Sequence, residues 1–169
     1  MIRLPDHTVT LEPMRADHED ALLAFELENR AYFASWIWDR GDDYFAQFAT
    51  RHAALLAEQE AGICRFHVLV DSTGAVAGRV NLIDLENVEA ELGYRIAEKW
   101  TGKGLATAAV RATIEIAATE YGLTSLRAGA SDRNPASQAV LTRAGFRPVG
   151  TSTTDLGPGK KYQLKLADA

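Results

Sequence analysis

The chain has 169 residues, enough for one domain with its own core, and 47% of them are apolar, an ordinary share for a globular protein. Its net charge is −5, with no cluster of lysines and arginines interleaved with aromatics, which argues against direct nucleic-acid binding. Charges interrupt every apolar run well short of the ~18 residues that span a bilayer, residues 1–6 lack the apolar core of a secretion signal, and the single Cys64 allows neither an internal disulfide nor a thiolate metal cage. A cytoplasmic protein with no membrane contact is expected.

In chain order, residues 7–13 alternate loosely and stop at Pro13, as an edge strand does. Asp17 can cap a helix to about residue 34, where Leu23, Leu27 and Ala31 recur at helical spacing. After a broken, tryptophan-rich stretch (Trp36, Trp38, Gly41), Asp42 or Asp43 opens a second helix to about residue 60. Three strands follow at about 65–70, 75–85 and 89–97, the first two joined by the turn sequence Asp71-Ser72-Thr73-Gly74. A glycine loop then leads into a helix over roughly 103–121. Thr107, Arg111, Glu115 and Thr119 form its one polar stripe, so the rest of its circumference is buried, and Gly122 ends it. A strand at 123–131 precedes a short helix with Asn134 as cap and Pro135 at the first helical position, closed by Gly145. Strands at about 146–155 and 160–166 finish the chain as a hairpin around Gly157-Pro158-Gly159. This order predicts an α/β (α+β) fold, with seven strands in a sheet and helices on both faces. No repeat or linker divides the sequence, so residues 1–169 read as a single domain.

The chemistry concentrates in Trp100-Thr101-Gly102-Lys103-Gly104-Leu105-Ala106. Two glycines one residue apart let consecutive amide N–H groups turn into one concavity, and the helix behind adds its free N–H groups and the positive end of its dipole. A pyrophosphate suits such a place, though glycine pairs before helices also serve as plain turns. The loop is not a Walker P-loop, because its lysine precedes the second glycine. Nor is it a dinucleotide fingerprint, because Thr107 stands where the third glycine belongs.

With Tyr94-Arg95-Ile96 before it, and Asn134-Pro135-Ala136-Ser137 and Ala144-Gly145-Phe146 after it, this loop resembles the GNAT superfamily, specifically its RimJ/RimL-type ribosomal-protein N-acetyltransferase branch. The similarity runs over nearly the whole chain. It implies acetyl-CoA as acyl donor, held in a cleft between two splayed central parallel strands of a mixed seven-stranded sheet, here the strands ending near Ala97 and Ala130. It places the pyrophosphate on Thr101, Gly102, Lys103, Gly104, Leu105, Ala106 and Thr107, and the thioester oxygen opposite a backbone N–H, most simply that of Ile96. The family usually carries Gln or Arg where this chain has Thr101. The Thr101 hydroxyl can still donate, and losing one side-chain contact to a charged phosphate is worth about 1.5–3 kcal/mol while the backbone amides remain.

Acetyl transfer to an amine needs a proton removed from the amine, a donor for the carbonyl oxygen, a proton for the thiolate, and alignment of the reactants. Ser137 matches the family serine that protonates the departing thiolate, or else it bonds back to its own helix terminus. Asn134 contacts the pantetheine or only caps the helix. Glu91 is the candidate base, with Glu89 as fallback, although a one-residue slip in register would turn either to the other face. Tyr32, Phe33, Trp36 and Trp38 supply aromatic walls for an acceptor or a latch between two helices, and Glu28, Asp39 and Asp42 could attract an amine. The expected activity is acetyl transfer to a primary amine, on a protein N-terminus or a small molecule. The alternative is a catalytically weak acyl-CoA-binding sensor. Proteins of this type often form homodimers, although no feature of the sequence demands it.

Overall fold

The computed structural model describes residues 1–166 and is built on one eight-stranded sheet. Its strands are β1 (Ile2–Arg3), β2 (Val9–Pro13), β3 (Arg65–Asp71), β4 (Val76–Glu86), β5 (Glu89–Ile96), β6 (Ser125–Ser131), β7 (Arg147–Thr154) and β8 (Gly157–Lys165). They lie in the order β1-β2-β3-β4-β5-β6-β8-β7, and β5–β6 is the parallel neighbour pair. Helices cover both faces. On one lie α1 (Glu19–Glu28), α2 (Arg30–Ala34), α3 (Asp42–Ala46) and α4 (Phe48–Glu60); on the other lie α5 (Leu105–Thr119) and α6 (Pro135–Arg143). No helix among the described residues is long and apolar enough to cross a membrane.

Strand alternation divides the core into two clusters. Ala90, Leu92 and Ile96 of β5 pack with Leu105, Ala109 and Val110 of α5, while Phe66 and Val68 of β3 pack with Leu22 and Phe25 of α1 and Phe48 of α4. The polar stripe of α5 falls as expected, with Arg111, Glu115 and Thr119 exposed and Leu105, Ala109, Val110, Ile116 and Ala117 buried. Arg111 donates to the carbonyl of Arg143 at 2.9 Å, tying α5 to the negative end of α6.

Four expectations need correction. The sheet has eight strands rather than seven, because Ile2–Arg3, too short to show any alternation, pairs with Leu11 and Thr10. The first long helix is broken at Asn29, whose side chain donates to the Phe25 carbonyl at 2.9 Å and accepts the Glu98 amide at 2.9 Å, drawing the backbone out of helix. The second is broken at Gln47, with Tyr44 and Phe48 still packed edge-on across the break. The final hairpin turns at Asp155-Leu156 rather than around Gly157-Pro158-Gly159. Thr154 Oγ closes the turn onto the Gly157 carbonyl at 2.8 Å, and the three residues run into β8. Gly159 lies so close to β6 that a Cβ would stand 2.5 Å from the Ala130 oxygen.

Candidate active site

The parallel pairing of β5 with β6 lasts three residues, Glu89 with Ser125, Ala90 with Leu126 and Glu91 with Arg127, after which the strands part. Beyond that point residues 92–96 pair only with β4, and residues 128–131 only with β8. The gap opens into a cleft of about 790 Å³, walled by Tyr94, Arg95 and Ile96 on one side and Gly129, Ala130 and Ser131 on the other. The main-chain edges facing it are unpaired, so an extended ligand can add to either as a strand would.

At the top of the cleft lies the glycine loop. Gly102 and Gly104 have φ of 73° and 76°, the left-handed region that glycine enters without penalty, and no atom lies within 4 Å of where a Cβ would stand at either. None of the amides of residues 102–107 donates to another group among the described residues, while the Ala108 amide begins the helical ladder onto the Gly104 carbonyl at 3.1 Å. Six free N–H groups at the positive end of a fifteen-residue helix suit a diphosphate. Trp100 also lines the cleft, and its buried Nε1 has no acceptor among the described residues. The Thr101 hydroxyl is engaged, donating to the Glu98 carbonyl at 2.7 Å, and the Lys103 ammonium donates to the Lys99 carbonyl at 2.9 Å. The backbone therefore carries the loop's capacity for an anion. Thr101, Gly102, Gly104, Leu105, Ala106 and Thr107 all line the cleft.

The start of α6 forms the opposite rim. Asn134 Oδ1 accepts the Ser137 amide at 3.1 Å, a helix cap, while Asn134 and Ser137 both line the cleft. The Tyr94 hydroxyl donates to Ser137 Oγ at 3.1 Å. Burial raises the Tyr94 phenol above its ordinary range, so it stays protonated at neutral pH. Sequence reasoning quoted Tyr94 within a motif and gave it no role. The signal was its position two residues from both Leu92 and Ile96, which puts all three on the α5–α6 face.

Glu91 sits at the apex, on the last rung before the strands part, half-buried and outside the cleft lining. Glu89 is ion-paired with Arg127 at 3.1 Å. On the α1–α4 face Phe33 and Trp36 line the cleft together with Tyr32 and Ile37. Trp38 is 79% exposed and lies outside the lining, as does Glu28, which faces Lys99 at 3.8 Å. Arg30 holds Asp39 at 2.7 Å and Asp42 at 2.9 Å. The charged residue that does reach the cleft here is Arg95, its guanidinium 5.4 Å from the centre of the Phe33 ring and 3.3 Å from Glu26.

Comparison with known proteins agrees with this arrangement. The family described as "Acetyltransferase (GNAT) domain" matches residues 8–147. A Bacillus subtilis protein named "Probable N-acetyltransferase YjcK" is 28% identical over 155 residues, 87% of this chain and 84% of its own. The fold is shared with the ribosomal-protein-S5-alanine acetyltransferase of Vibrio fischeri, at TM-score 0.91 and 18% identity over 99% of this chain and 98% of that one. It is also shared with Mycobacterium smegmatis RimJ, solved in complex with CoA-disulfide, at TM-score 0.84 and 24% identity over 97% and 85%. With its splayed strands, glycine loop and family match in agreement, the chain belongs to the GNAT acetyltransferase family.

Proposed function

We propose that this protein transfers the acetyl group of acetyl-CoA directly to a primary amine. One observation carries the reading: six unpartnered backbone amides, residues 102–107, stand over a cleft between two parallel strands that separate after three rungs. When bound, acetyl-CoA supplies a thioester whose acetyl carbon is taken by the amine nitrogen as the C–S bond breaks, leaving a thiolate and a proton to be placed. The amides of residues 102–107 hold the phosphates, and the open edge of residues 92–96 aligns the pantetheine, with the Ile96 end nearest the loop. Ser137 hands the thiolate a proton as it takes one from the Tyr94 hydroxyl bonded to it, and Tyr94, which burial keeps in its neutral form, regains that proton from solvent in the open cleft. Glu91, on the same face of β5 as Gly93 and Arg95, takes the amine proton through water. Phe33 and Trp36 flank the acceptor.

Purified protein should be incubated with acetyl-CoA and a panel of peptide N-termini and small amines, with release of free thiol followed. Amine-dependent release is expected, together with thermal stabilisation by CoA. Stabilisation without release across the panel would replace the transferase with an acyl-CoA sensor, and no stabilisation at all would refute both.

A further inference from the structure

The acceptor side of the cleft is short of negative charge. Among the described residues Glu26, 2% exposed, is the one carboxylate ion-paired with two guanidiniums, giving Oε1 to Arg79 at 3.0 Å and Oε2 to Arg95 at 3.3 Å. Arg79 is itself buried, and its Nε finds no acceptor. The cluster therefore holds one positive charge in excess. Burial, and then the charges of Arg40 and Arg79, hold the Arg95 guanidinium below its ordinary range, with Glu26 and, more weakly, Tyr44 pulling the other way. Charges this far from water call for partners.

The carboxylates that sequence reasoning offered to an incoming amine are occupied elsewhere, Asp39 and Asp42 by Arg30, and Glu28 beside Lys99 on the exposed surface. The charged residues lining the cleft are Arg95, Arg143 and Asp155. Arg143 ends α6, away from the aromatic wall, so an acceptor settling against Phe33 and Trp36 meets Arg95 first. A polycationic acceptor would place its second charge against an under-neutralised guanidinium. An acceptor bringing its own anion would complete the cluster, one carboxylate for each arginine, and a planar guanidinium at the cleft suits a two-point contact with a carboxylate.

Building on the acetyl-transfer reading, we propose that the acceptor amine is carried on a molecule bearing a carboxylate, and that Arg95 binds that carboxylate and sets acceptor specificity. Asp155 is the one cleft-lining carboxylate among the described residues left to face the amine end.

The test uses matched acceptors differing only in the acid: free amino acids against their amides, and peptides with Asp or Glu at the second position against Asn or Gln. The two series separate a free amino acid from a protein N-terminus as source of the carboxylate. Thiol release gives kcat/KM, and calorimetry gives CoA affinity, for wild type, Arg95→Met and Arg95→Lys. Arg95→Met leaves Glu26 and Arg79 as a balanced pair. In wild type the acid should be favoured over its neutral match by about tenfold or more in at least one series. The preference should vanish in Arg95→Met and persist in Arg95→Lys, with CoA affinity unchanged in both. Equal use of acid and amide by wild type, a preference for polyamines, or a preference surviving in Arg95→Met would each overturn the inference, and the wild-type ratio decides even if a variant fails to fold. Tight CoA binding with no acid preference would sink this inference alone, whereas absent CoA binding would sink the acetyl-transfer reading with it.

Discussion

Gly104 offers the sharpest test of the anion loop. It caps α5 at φ 76° and ψ 6°, and among the described residues no atom beyond its chain neighbours lies within 4 Å of where a Cβ would stand. A side chain there meets open cleft rather than protein, so the cost to the fold is confined to left-handed strain, about 1–2 kcal/mol for a non-glycine residue. Gly104→Ala carries that strain alone. It should lower stability by that amount if the loop keeps its shape, or CoA affinity by about tenfold if it does not. Gly104→Glu adds a carboxylate beside the phosphates. At about 4 Å and an effective dielectric near 20, each like-charge pair costs about 4 kcal/mol, so strain and repulsion together remove three to four orders of magnitude of affinity, roughly. Thr101→Ala is the control. Its hydroxyl is already spent on Glu98, so CoA affinity should stay within about threefold. Calorimetric titration with CoA, alongside thermal melts to establish folding, measures all three. A folded Gly104→Glu variant that binds CoA like wild type would refute the placement of the diphosphate.

Two further outcomes are expected. Ser137→Ala and Tyr94→Phe should each lower kcat, by about tenfold or less because a thiolate of ordinary pKa leaves readily, with CoA affinity nearly unchanged. Steady-state kinetics on both variants check it, and an unaltered kcat removes the proton-donor role. His67 sets a pH dependence of stability: it is 1% exposed, its Nδ1 faces the Val80 carbonyl at 3.2 Å, its Nε2 takes the Tyr121 hydroxyl at 2.7 Å, and burial pushes its pKa down to about 4. The folded protein resists protonation of this ring while the unfolded chain accepts it near pH 6.5. Stability is therefore intact above pH 6.5 and falls by up to about 3 kcal/mol as pH drops to 4. Urea titrations across that range should show the loss in wild type and much less of it in His67→Gln, compared at equal m-value.

The sequence was legible where a residue's partner is the backbone or its own neighbours. The polar stripe of α5, the Asn134 cap and the Gly102-Lys103-Gly104 loop are local devices, and each stands where spacing placed it. Asn29 was opaque because the amide its side-chain oxygen accepts from lies at Glu98, 69 residues on, and pattern alone cannot distinguish a helix interior from a side chain recruited by a distant loop. The Glu26–Arg79–Arg95 cluster was hidden for the same reason, its members being 53 and 69 residues apart. An arginine on a half-buried strand looks like solvent-facing charge until the helix above it is known. The aromatic stretch read as an acceptor wall divides in the structure, with Phe33 and Trp36 at the cleft and Trp38 turned outward, because a broken loop gives no period from which to infer a face.

Three rungs are all that join β5 to β6, and this makes the middle of the sheet its seam. To one side stand five strands, to the other three antiparallel strands in the order β6-β8-β7, each side richly paired within itself. A bound molecule lying along both unpaired edges would lengthen the seam and act as a zip between the two halves. Stiffness across the molecule would then track the binding cycle: loosest along this line when empty, fastened when loaded, and loosened again on release, so that turnover and breathing of the sheet share one axis.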